Sequence, residues 1–249
     1  MSGDFREVSE TGFCESYFWL QVLPHPPAAT SLPFEFFNAF SAISICFISI
    51  YFFLKHLKHE VSFATLLAFF SVFLNGVASF VYHGWHYNIS GSFDTFTMQT
   101  ALLFLFLLTA EMSLLHHHFH SLLVSVFVCV FFMLWTVCII FSYYHNTPDF
   151  TVLFGIEVFF FIIFFLHTSY ELNCRMEGIS SSFFSNLTDV FVFILVFICK
   201  YVPEQFCDDF FWAAALFWTH SFFHIVTAWI VNKIILQHQT WYVIFRNSQ

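Results

Sequence analysis

Residues 150–170 read FTVLFGIEVFFFIIFFLHTSY, twenty-one residues with a single formal charge, Glu157. A helix needs about 20 apolar residues to cross the hydrocarbon core of a bilayer, and this stretch supplies them. Composition outside it agrees. The 249-residue chain is 59% hydrophobic and 9% charged, with 43 Phe, where a soluble domain carries about 25% charged residues. A soluble single domain of this length cannot bury so much apolar surface, and no long disordered region fits. The expected class is an all-α polytopic membrane protein. The net charge of −9 and the seven scattered basic residues exclude a nucleic-acid partner, which calls for clustered Lys and Arg. The partner implied by composition is the lipid bilayer.

Hydropathy predicts seven transmembrane helices, at 34–54, 61–83, 95–115, 122–142, 150–170, 183–201 and 210–236. The sixth is interrupted near its start by Asn186 and Asp189. Short connections make this one bundle, so the expected organisation is an N-terminal segment 1–33, a helical domain 34–236 and a tail 237–249. Residues 1–33 are acidic and rich in Pro, without the basic start and apolar core of a cleavable signal. With seven spans, Lys55, Lys58, Arg175, Lys233 and Arg246 share one side, against Arg6 and Lys200 on the other. The excess of basic residues marks the cytosolic side, so the N-terminus is expected outside or in the lumen, and the tail in the cytosol. The seven cysteines are an odd number, so at least one is free or paired outside the chain.

Polar groups inside a membrane are costly and mark functional interiors. The second predicted span ends with Ser79 and His83, four residues apart and hence on one helix face. Asp94 is expected to open the third. The seventh carries Thr219-His220-Ser221-Phe222-Phe223-His224, again two His four apart. Two His at that spacing can bind one metal from a single helix, as in zinc-protease helices. A catalytic zinc takes three protein ligands and leaves a position for water, and His83 is the natural third. Topology puts His83, His220, His224, Ser79 and Asp94 at similar depth, with Asp94 able to accept a proton from water. His86 is a rival ligand, placed lower because it falls past the helix end. His116, His117, His118 and His120 are metal-like by composition but read as a solvated loop on the opposite side. Glu111, Glu157 and Asp189 are further intramembrane acids with no partner legible in the sequence.

This constellation resembles the alkaline ceramidases, part of a superfamily of seven-helix membrane hydrolases that includes the progestin and adipoQ receptors. The superfamily pattern is Ser and His four apart on helix two, Asp at helix three and His-x-x-x-His on helix seven. Phe13-Cys14-Glu15, Glu35-Phe36-Phe37-Asn38 and Phe206-Cys207 are similar to further ceramidase segments. The resemblance implies a zinc-dependent amidase that hydrolyses ceramide to a sphingoid base and a fatty acid in the endoplasmic reticulum or Golgi membrane. His83, His220 and His224 would hold zinc, and Ser79 and Asp94 would be catalytic. It also implies a Cys14–Cys207 disulfide and a calcium site using Glu15, Glu35 and the Phe13 carbonyl. Gly12 and Tyr17 stand where the family's calcium segment has Asp and Asn, and Thr95-Phe96-Thr97-Met98 replaces its Glu-Leu-Pro-Met. Three alternatives remain open: a sister lipid hydrolase acting on GPI or phospholipid esters, a seven-helix lipid receptor that keeps the zinc without chemistry, and a scaffold or channel with scattered core histidines and no stoichiometric zinc.

Overall fold

The computed structural model describes residues 35–56, 61–85, 88–116, 130, 131, 133, 135, 136, 149–175, 180–204, 206, 212, 216 and 218–248. Among these, all regular structure is helical. The helices are α1 (Phe36–His56), α2 (Phe63–Trp85), α3 (Asn88–His116), α4 (Asp149–Arg175), α5 (Ser180–Glu204) and α6 (Trp218–Ser248). The fourth predicted span falls between α3 and α4, where only residues 130, 131, 133, 135 and 136 are described, all of them helical. Successive helices pack on one another, and α6 packs against α1, α2, α3 and α5.

Five helices are long and apolar enough to cross a membrane: Phe36–Lys55, Phe63–Trp85, Ser90–Leu114, Phe154–Cys174 and Phe183–Glu204. Phe40, Phe47, Phe63, Phe184 and Phe191 stand exposed on their outer surfaces, as lipid-facing residues do. The chain is therefore a helical integral membrane protein.

α6 is not among those five, and its physical character corrects the expected tail. The helix continues past residue 236 to Ser248, so 237–249 is almost wholly helical. Its polar residues lower its hydropathy, but several of them point inward and pair with other segments. Asn232 Nδ2 bonds Ser49 Oγ of α1 at 3.2 Å. His238 Nε2 meets Thr109 Oγ1 of α3 at 3.0 Å. Gln239 Oε1 accepts the Ser62 amide at 3.2 Å, and Trp241 is buried. The polar interruption of the sixth predicted span is resolved in the same way. Asn186 bonds Ser169 of α4, while Asp189 takes Lys233 of α6 at 2.5 Å. Interhelical hydrogen bonds of this kind contribute roughly 0.6 kcal/mol each on average; their main effect is to fix rotation and register.

Hydrophobic packing concentrates away from the α2–α3 turn. Phe106 stacks on Phe131 at 4.1 Å and on Phe164 at 5.0 Å, beside the fully buried Phe165 and Ile235. Near the middle of both helices α1 and α2 come unusually close. A Cβ on Gly76 would lie 2.7 Å from Cys46 Sγ and 2.9 Å from the Cys46 backbone nitrogen. Only glycine permits this approach, and it sets the spacing between two helices that carry site residues. Gly76→Ala is expected to destabilise by about 1–3 kcal/mol through overpacking, measured as a lower thermal midpoint in detergent. Gly155→Ala is the control, because a Cβ there meets nothing within 4 Å; it should be neutral or stabilise by up to about 1 kcal/mol.

Candidate metal centre

The start of α1, the end of α2, the start of α3, the end of α5 and the start of α6 meet at one end of the bundle. The backbone fastens two of them directly, since the Glu35 amide donates to the His83 carbonyl at 3.1 Å. Here His83, His220 and His224 converge, all buried, with one ligand nitrogen from each lying within 4.8 Å of the others. Their ring centroids are 4.9 Å (His83–His220), 5.2 Å (His83–His224) and 4.6 Å (His220–His224) apart. The expected three-histidine cluster is thus brought together.

The partners of the Nδ1 atoms decide which nitrogens face inward. His83 Nδ1 lies 2.6 Å from Glu35 Oε2, and His220 Nδ1 bonds Glu204 Oε1. A carboxylate only accepts, so both Nδ1 atoms carry the proton. His224 Nδ1 lies 3.0 Å from Ser41 Oγ. The single Ser41 hydroxyl hydrogen goes to the Asn38 carbonyl at 2.9 Å, so His224 Nδ1 also donates. Neutral imidazoles protonated at Nδ1 present lone pairs at Nε2. His220 Nε2 and His224 Nε2 face each other at 3.0 Å, close to the ~3.3 Å edge of a tetrahedron with 2.0–2.1 Å metal–nitrogen bonds. Two lone pairs at that distance repel unless a cation lies between them. Imidazoles steered from behind by carboxylates and a hydroxyl are the usual supporting arrangement of a metal site.

Ser79 and Asp94 stand beside this cluster. The Ser79 hydroxyl interacts with the Asp94 carboxylate. Asn75 Nδ2 donates to Asp94 Oδ1 at 3.2 Å and lies 3.3 Å from Thr97 Oγ1. Asp94 does not open α3, as expected from sequence, but sits in its second turn, because the helix already begins at Asn88. Polar residues 88–92 obscured that start in the hydropathy. The shift places Gly91 and Asp94 on the α3 face that meets Ser79.

Glu35 is fully buried and is committed to His83 and to Asn38 Nδ2, at 3.3 Å. Its expected calcium partners Glu15 and Phe13 lie outside the described residues, as do Gly12, Tyr17, Cys14, Cys207 and the rival ligand His86. Among the described residues Cys46, Cys174 and Cys199 are free. His116 ends α3, whereas His117, His118 and His120 lie outside the described residues.

Sequence reasoning missed Glu204, Ser41 and Asn75. Glu204 was legible only as one of several acids on the same side as the site. Asn38 was legible only through the resemblance, and it joins two helices by accepting Ser221 Oγ at 2.9 Å. No protein-family model matches the chain, and no curated protein is similar enough to count as a relative.

The purified protein is expected to bind one divalent ion per chain, measured by elemental mass spectrometry. Ser41→Ala and Glu204→Gln should each weaken that affinity about 10–100-fold, read by competition with a chelating dye.

Proposed function

We propose that this protein is an intramembrane zinc-dependent amidase that hydrolyses ceramide, similar to the alkaline ceramidases. One observation carries the reading: three imidazoles with their protons held at Nδ1 turn toward a common point, beside a Ser–Asp pair. Charge supports a divalent ion. Among the described residues Glu35, Asp94 and Glu204 surround the site with Lys200, formally two negative charges in excess. An all-nitrogen set suits zinc better than calcium or magnesium, which prefer oxygen. Zinc held by three imidazoles supplies Lewis acidity and makes water a nucleophile at neutral pH.

The chain's own groups do the rest. Asn75 orients Asp94, whose carboxylate accepts the proton of the attacking water. Once Asp94 holds that proton, Ser79 turns its single hydroxyl hydrogen from Asp94 to the substrate carbonyl oxygen, where charge develops. Oxygen from water bonds to the acyl carbon, the carbon–nitrogen bond breaks, and the proton passes to the departing amine. The products are a fatty acid and a sphingoid base. The same reading includes seven spans, an N-terminus on the lumenal side and residence in the endoplasmic reticulum or Golgi, as the resemblance and the basic-residue bias imply.

The detergent-purified chain should release sphingoid base from ceramide, measured by mass spectrometry. His220→Ala should abolish release, and Ser79→Ala should slow it about 10²–10³-fold. Turnover of a phospholipid or GPI ester in place of ceramide would overturn the amidase assignment. Bound zinc without turnover of either would leave a receptor.

A further inference from the structure

α2 and α3 meet along an antiparallel ladder. Asn75 pairs with Asp94 and Thr97, and Ser79 with Asp94. The next rung toward the site end sets Tyr82 against Gly91. These α2 positions lie three and four residues apart, hence on one face. At this last rung α3 has no side chain. A Cβ on Gly91 would stand 2.8 Å from Tyr82 Cε2 and 3.3 Å from both Cδ2 and Cζ, so the phenol ring occupies the notch that a glycine leaves. The ring also lies against the zinc-site imidazole of His83, with centroids 5.4 Å apart.

The seat brings the phenol within electrostatic reach of Glu35, Asp94 and Glu204, carried by or adjoining α1, α3 and α5. It therefore stands where the site elements meet. Ser79 is 3% and His83 1% exposed, whereas Asn75, Asp94 and Tyr82 are partly exposed, and of these Tyr82 lies nearest the end of α2. It is the rung that a molecule approaching Ser79 and Asp94 from this end meets first. Its hydroxyl can both donate and accept a hydrogen bond, which suits an uncharged head bearing hydroxyls and an amide.

We infer that Tyr82 is a substrate-binding residue of this site: seated in the Gly91 notch, its ring closes the open end of the Ser79–Asp94 pair, and its hydroxyl hydrogen-bonds the polar head of the lipid amide. The inference rests on the amidase reading and names a contact that the three-histidine constellation does not contain.

Two variants divide the two parts of the claim. Tyr82→Phe keeps the ring and removes the hydroxyl. Gly91→Ala keeps the hydroxyl and unseats the ring. Zinc per chain, ceramide binding by the metal-stripped protein in detergent micelles, and ceramide kcat and KM are measured for each variant and for the double variant. Both single variants should retain one zinc per chain and lose about tenfold in ceramide affinity and in kcat/KM. The double variant should be no worse than the weaker single, because the two changes act on one contact. Native values in Tyr82→Phe would overturn the inference, and so would loss of zinc from it, which would make the tyrosine a support of the metal site. A native chain that neither binds nor hydrolyses ceramide would overturn the amidase reading itself, and with it this inference.

Discussion

Three lone pairs directed at one point are the constraint on which this end of the molecule depends. An imidazole has two nitrogens, and the proton sits on the one that has an acceptor. Glu35 and Ser41, at the start of α1, and Glu204, at the end of α5, hold the three protons on the far side of the rings. Removing an acceptor frees its ring to change tautomer or rotate, and the convergence is lost. α1, α2, α5 and α6 must therefore hold a common level, since such sites tolerate misplacement of only about 0.5 Å. The close approach at Gly76 and the Asn38–Ser221 bond serve that alignment.

The bundle divides its labour along its length. Toward one end, polar groups from different helices satisfy one another around a pair of facing nitrogens. Toward the other, aromatic stacking about Phe106 supplies packing around interhelical pairs such as Thr109 with His238. In a membrane lipid tails are as apolar as the core, so burial alone gives little force between helices. Specificity of association then falls to the polar pairs: Asp189 with Lys233, Asn232 with Ser49, and Thr109 with His238. Each lies at a position that looks like a flaw in a hydropathy profile.

That last point explains why some elements were legible in the sequence and others were not. α4 was readable because residues 150–170 carry one charge. The end of α6 was not, since Gln237, His238 and Gln239 resemble an interfacial tail until His238 and Gln239 are seen to bond to groups on other segments. The start of α3 was hidden by a short polar run. Within the site, His220 and His224 could be found because four-residue spacing is a property of one helix. The Ser41–His224 contact joins residues 183 positions apart, and the Glu204–His220 contact joins two segments with no fixed spacing, so neither leaves a local signature.

From its sequence alone the chain is a helical membrane protein, and its histidines, serine and aspartate are on helix faces where they can meet. Composition settles the first, because apolar length and lack of charge leave no soluble alternative. Helical periodicity settles the second. Tertiary structure decided which helices stand together, where α3 begins and α6 ends, and above all which nitrogen of each histidine faces its neighbours. Spacing along a helix fixes the direction of a side chain about its own axis, but a ring's protonated edge is chosen by an acceptor on another helix, and only packing brings that acceptor within reach.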